Sequence, residues 1–156
     1  MSLSKRLTDY LDGRHVSYVS LRHNTAFTAQ EIAASLHISG KLIAKTVIVT
    51  ADGRLLMVIL PAKDKINFDL LKEALHAQEI ALANEWEFTD CFPDCERGAM
   101  PPFGNLYNLP VYVAETLGGD QEILFNAGAH DEAIKMRYTD FEKLVHPTRV
   151  TITYHH

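Results

Sequence analysis

Cysteine is scarce in this 156-residue chain, which has only Cys91 and Cys95. A disulfide framework is thereby excluded, and a reducing compartment is expected. Three residues, Pro93 among them, separate the two cysteines, so they do not form Cys-x-x-Cys. No His-x-x-x-His or His-Glu-x-x-His accompanies them, and no metal site is expected. Long apolar runs are missing as well. Nothing approaches the roughly 18 apolar residues of a membrane span, and Met1-Ser2-Leu3-Ser4-Lys5-Arg6 lacks a signal-peptide core. The expectation is a cytosolic chain with no membrane partner. Basic residues are not in excess: a formal net charge of −5 argues against DNA and against any sequence-independent nucleic-acid binder. A protein that grips only the end of an RNA through a local patch stays compatible with that charge. Also absent are a Gly-x-Ser-x-Gly elbow, a Gly-x-x-x-x-Gly-Lys-Ser/Thr loop and a nucleotide-fingerprint loop after a strand, so no cofactor is expected. Repeats, low-complexity segments and linkers are lacking too. What remains reads as one domain over 1–156, with an ordinary 47% hydrophobic and 22% charged composition.

The elements follow from periodicity and punctuation. Leu3, Leu7, Tyr10 and Leu11 recur at helical spacing up to Gly13, and 16–21 reads as a short strand. Thr28-Ala29-Gln30-Glu31 is a capping-box signature for a helix to about Leu36. The apolar run 42–49 reads as a buried strand. Asp52-Gly53 then signals a hairpin between 46–50 and 55–60, with Pro61 closing the second strand. Asn67 caps a helix carrying Leu70, Leu71, Ala74 and Leu75. Strands are expected at 80–82, 111–114, 122–126, 134–137 and 150–154, the last an edge strand, with a short helix over 85–92. Thr139-Asp140-Phe141-Glu142 is a second capping box, opening a helix to about Val145. Strands and helices do not alternate regularly, which favours α+β with a mixed sheet over a doubly wound one.

Lys45 is the informative residue, a charged side chain inside Leu42-Ile43-Ala44-Lys45-Thr46-Val47-Ile48-Val49. Burying it bare costs several kcal/mol, roughly, so it must snorkel out, pair with a charge, or be held for use. The structural reading is an edge-strand or snorkelling lysine. The functional one is a fixed cation for a carbonyl oxygen, a phosphate or a developing oxyanion. Gly98-Ala99-Met100-Pro101-Pro102-Phe103-Gly104 is either a stiff surface turn or a loop whose glycines let backbone approach a ligand. Gly128-Ala129-His130 can place an imidazole at a strand's end, and His23 can line the same cleft. Cys91 and Cys95 read as packed thiols, with a thiol nucleophile as the minor alternative.

The order Thr28-Ala29-Gln30-Glu31-Ile32-Ala33, Lys45-Thr46-Val47-Ile48-Val49, Gly98-x-x-x-Pro102 and Gly128-Ala129-His130 resembles the YbaK/aminoacyl-tRNA synthetase-associated domain family. These are trans-editing aminoacyl-tRNA deacylases related to the editing insertion of bacterial prolyl-tRNA synthetases. The resemblance implies a mixed sheet curled into a partial barrel with helices packed outside. It implies hydrolysis of the ester joining a mischarged amino acid to the terminal adenosine of tRNA, without cofactor or metal. Lys45, Gly98, Pro102 and His130 then take the catalytic positions. Lys45 fixes the terminal adenosine or the carbonyl, the loop positions the ester, and His130 serves amino-acid selection. His23, Thr28, Thr46, Met100, Pro101, Phe103, Gly128 and Ala129 line the substrate. Lys41, Lys63, Lys65 and Arg97 form the tRNA patch.

An activated ester needs little beyond positioning, a polarised carbonyl and a placed water. The attacking proton can pass to water, to His130 or to the ribose hydroxyl, substrate assistance being preferred. Thr46 resembles YbaK-like members whereas Gly128-Ala129-His130 resembles the editing-insertion branch, so the amino acid removed stays open, with alanine, serine or threonine favoured. The expected partner is the acceptor end of aminoacyl-tRNA, with a synthetase as an optional second. Two other readings remain: a non-catalytic aminoacyl-adenosine or nucleotide-binding module of the same fold, and a thiol-dependent small-ester hydrolase.

Overall fold

A computed structural model describes residues 5–22, 43–96, 98–118 and 121–153. Helix α1 (Lys5–Gly13) turns Leu7 and Leu11, one helical turn apart, fully into the core. Strand β1 (Tyr18–Arg22) pairs antiparallel with β7 (Glu132–Arg137), and β7 with β6 (Glu122–Asn126). The second sheet has the order β4 (Ile80–Leu82), β2 (Ala44–Ala51), β3 (Arg54–Pro61), β5 (Val111–Ala114) and β8 (Thr148–Val150). Its centre is the hairpin of β2 and β3. Asp52 and Gly53 both take positive φ, 51° and 82°, the two-residue turn whose twist matches that of the strands. Strands β3, β5 and β8 run parallel, while β4 pairs antiparallel with the Val49–Ala51 end of β2. A parallel bridge between Ile43 and Leu124 joins the two sheets. They curl around a shared core without closing into a barrel.

β3 shows why its sequence is an unbroken apolar run. Met57 and Ile59 face the core between the sheets, and Leu56, Val58 and Leu60 face the opposite side. The inter-sheet core centres on Phe103, whose ring packs against Phe125, Phe141 and Tyr10. On the outer face, Leu71 of α2 (Phe68–Leu75) covers Val49, Val58 and Leu60 together with Ile66 and Ile152. The Asn67 side chain caps α2, accepting hydrogen bonds from the amides of Asp69 and Leu70 at 3.0 and 3.2 Å. The short helix α3 (Glu85–Phe88) continues into a 3₁₀ turn, Thr89–Cys91, just before Pro93. Among the described residues no helix is long and apolar enough to cross a membrane.

Helix α4 (Tyr138–Val145) departs from the sequence expectation. β7 runs straight into it, so Arg137 occupies the cap position and the Thr139 box does not form. The Tyr138 amide is taken instead by the Gln121 carbonyl, which satisfies a helix-start donor without a capping side chain. The strand expected from Ile134 begins two residues earlier, at Glu132, a buried acidic residue that breaks the apolar pattern. The final strand ends at Val150, and Thr153 makes a separate antiparallel bridge to Ile66. The expected helix over 28–36 lies outside the described residues.

Candidate functional site

Lys45 lies near the start of β2, opposite Leu60 of β3. β4 covers only the far end of β2, so Lys45 sits where the sheet's flank is open towards β6. Side chains two apart share a face of a strand, which puts Lys45 on the side of Ile43, Leu60 and the outer core. Thr46, half-buried, takes the other face, opposite Ile59 and the inter-sheet core. Lys45 is half-buried, and its Nζ donates to the Ala62 carbonyl at 3.4 Å, long for such a bond. Burial pushes the Lys45 ammonium below the usual lysine range; Asp64 opposes that effect and Lys65 adds to it. Asp64 is 4% exposed; its carboxylate accepts from Thr116 Oγ1 at 2.8 Å and pairs with Lys63 Nζ at 3.6 Å. Lys63 and Lys65 reach outward from the same turn.

The two glycine-bearing segments are bound to one another. The Gly128 amide donates to the Ala99 carbonyl at 2.9 Å, and the Glu96 amide to the Gly128 carbonyl at 2.7 Å. The His130 amide donates to Glu96 Oε1 at 2.9 Å. Gly98 has φ +81°, a conformation that a residue with Cβ adopts only under strain. A Cβ built there would stand 3.4 Å from His130 Cε1 and 3.8 Å from Nε2, so the buried imidazole lies against this glycine. Pro101, Pro102 and Ala129 are buried, which makes the loop a fixed wall and not a surface turn.

The Ile43–Leu124 bridge is what relates Lys45 to these loops. The strands run parallel there, so Lys45 is two residues beyond one partner and Asn126 two beyond the other. Asn126 in turn leads directly into Gly128. Lys45, the Gly98 loop and the Gly128–His130 turn therefore belong to one end of the molecule. Phe103 does not line that end, its side chain being fully buried in the inter-sheet core, whereas Met100, packed against the same core, borders a small cavity with Cys95 and Glu96. His23, Thr28, Lys41 and Arg97 lie outside the described residues.

Sequence reasoning missed Asp64, Glu96, Thr116 and Asn126. Asp64 sits in Lys63-Asp64-Lys65, whose alternating charge reads as a solvated turn, and neither Glu96 nor Thr116 has a local motif. Asn126 Oδ1 is shut off from solvent and accepts no hydrogen bond among the described residues, which only the structure reveals. Cys95 is held as a thiol. Cys95 lies between Tyr107 Oη at 3.4 Å and Asp94 Oδ1 at 3.6 Å, and burial above all pushes its thiol up to about 12. A thiol so held is a poor nucleophile at neutral pH.

A mixed five-stranded sheet joined to an antiparallel three-stranded one, with helices packed against them, defines the class: an α+β domain. Solved structures share that fold. One is the hypothetical protein APE2540, 19% identical over 96% of this chain and 100% of its own, with a TM-score of 0.86. Another is a candidate trans-editing enzyme for prolyl-tRNA synthetase, 19% identical over 97% of both chains, with a TM-score of 0.82. A third is a candidate signal-transduction protein from Marinobacter aquaeolei, 14% identical with a TM-score of 0.77; 99% of this chain matches 31% of that one. No curated protein matches the chain in sequence. Residues 23–144 match the aminoacyl-tRNA editing domain, and the chain belongs to that family.

Proposed function

We propose that this editing domain is a trans-acting aminoacyl-tRNA deacylase, hydrolysing the ester between a mischarged amino acid and the terminal adenosine of tRNA. The observation that carries the reading is Lys45: a half-buried ammonium with one long hydrogen bond, at the end of the sheet where the Gly98 and Gly128 segments meet. Such a cation retains donors for an incoming oxygen. In this reading Lys45 polarises the ester carbonyl and stabilises the oxyanion as water adds. Gly98 to Pro102 forms the wall that orients the ester, and His130 borders the amino-acid side chain. The C–O bond to the ribose breaks, and the departing ribose oxygen takes up a proton. The water's own proton passes most directly to the neighbouring ribose hydroxyl, which hands its own proton to the departing oxygen, so that the substrate closes the proton balance itself. Lys63 and Lys65, with Lys41 and Arg97, would hold the acceptor-end phosphates, and a small side chain such as alanine, serine or threonine is the expected cargo.

The test is deacylation of a panel of mischarged tRNAs, weighted to Ala-, Ser-, Thr- and Cys-charged species. Hydrolysis of one species well above the spontaneous rate is expected. Failure across the complete panel by folded protein would sink the deacylase reading in favour of a binding module.

A further inference from the structure

We propose that Asp64, anchored by Thr116, is a positioning residue that keeps Lys45 charged from within the turn on which its ammonium rests. The turn that follows β3 does two things at once. Its Ala62 carbonyl receives Lys45 Nζ at 3.4 Å, and two residues on it buries a carboxylate, Asp64, to 4% exposure. The turn is closed by the Asp64 amide donating to the Pro61 carbonyl at 2.9 Å. Across the sheet, Thr116 at the exit of β5 donates its hydroxyl to Asp64 Oδ2 at 2.8 Å. That bond fixes the carboxylate's orientation from a separate element. Lys63, half-exposed and 3.6 Å away, is too loosely placed to account for a carboxylate kept so deep. A buried carboxylate is costly unless it is compensated by opposite charge and hydrogen bonds. Lys45, whose ammonium is bonded to the same turn, is a second cation acting on this carboxylate at longer range than Lys63.

Among the described residues, the charged groups that act on Lys45 are Asp64 and Lys65 of the turn, with Lys63 paired to Asp64 beside them; Glu115, just past β5, is occupied by the Ile152 amide and the Thr153 hydroxyl. Asn126, level with Lys45 on β6, is neutral. Asp64 is therefore the acidic group that opposes the burial of Lys45, while Lys65 works with that burial.

The inference rests on the reading of Lys45 as the working cation, but its test need not. Reductive ¹³C-methylation of the lysines lets Lys45 be titrated by NMR, its signal assigned by its loss in Lys45→Arg. In Asp64→Asn the Lys45 midpoint is expected to fall by at least about one pH unit, as follows from losing a nearby opposite charge. Asp64→Glu should restore most of it, Thr116→Val should give a smaller fall, and Lys65→Gln should raise it. If Asp64→Asn does not fold, Thr116→Val decides. An unchanged Lys45 midpoint in whichever folded variant decides would overturn the proposal. In the active enzyme, the alkaline limb of kcat/KM should move down with the midpoint. A protein that hydrolyses no aminoacyl-tRNA but shows the titration shift would refute the deacylase reading and leave this one standing.

Discussion

Gly98 offers a way to separate the site from the scaffold. Replacing it by alanine forces a Cβ onto a backbone with φ +81°, which costs about 1–2 kcal/mol in the left-handed region. Part of this is returned because alanine also restricts the unfolded chain, by about 0.4–1 kcal/mol. The new methyl meets no backbone. Its nearest neighbours are His130 Cε1 at 3.4 Å and Nε2 at 3.8 Å, ordinary contact distances, so the ring need not move. The net cost is about 1 kcal/mol, a fall in Tm of roughly 2–4 °C for a domain of this size. The methyl covers the imidazole face that Gly98 leaves open, so deacylation is expected to drop at least about tenfold. Gly104→Ala is the control. There a Cβ would stand 2.6 Å from Val111 Cγ2 and 2.8 Å from the Leu109 carbonyl, so backbone must shift. Overpacking of that kind costs about 1–3 kcal/mol, and it falls on Val111 and Leu109, not on His130. Thermal melts and single-turnover deacylation of both variants are the assay. Wild-type turnover in a folded Gly98→Ala protein would refute the placement of this loop in the site.

Three further outcomes are expected. At pH 8 iodoacetamide should label Cys95 about 1,000-fold more slowly than an ordinary thiol of pKa 9.0, since its thiolate forms only near pH 12; rapid labelling by mass spectrometry in the folded protein, with loss of turnover, would revive the thiol mechanism. Asn126→Leu removes a buried acceptor that has no partner among the described residues, so it should leave stability unchanged or raise it by about 1 kcal/mol in urea denaturation; a loss of more than about 1 kcal/mol would mean the amide is paired in solution. Replacing Lys41, Lys63 and Lys65 by glutamine should weaken tRNA binding and flatten its salt dependence by about 0.7 per lost single-strand phosphate contact. An unchanged slope would show that the patch lies elsewhere.

Much of the fold was legible where local chemistry decides it. Asp52-Gly53 specified its turn, Asn67 its helix, and the strands 111–114 and 122–126 fall where their patterning puts them. The α4 start was misread because a capping box is one way of satisfying helix-start donors, and here a distant carbonyl at Gln121 satisfies one instead. The site was legible in its landmarks: a lysine inside an apolar strand and glycines beside a histidine are conspicuous in one dimension. Their supports were not. Glu96 reaches His130 across 34 positions and Thr116 reaches Asp64 across 52, separations that no local pattern encodes. Phe103 shows the converse error. A Gly/Pro loop signals stiffness, but which of its side chains turn inward is set by the aromatic neighbours Phe125 and Phe141, far away in sequence.

The most direct test of the central claim is single-turnover hydrolysis of the best mischarged tRNA by wild type and by Lys45→Ala, with circular dichroism confirming the fold. Loss of a preorganised cation at the developing oxyanion predicts a fall of about 100- to 1,000-fold. A folded Lys45→Ala protein that deacylates at the wild-type rate would contradict the account.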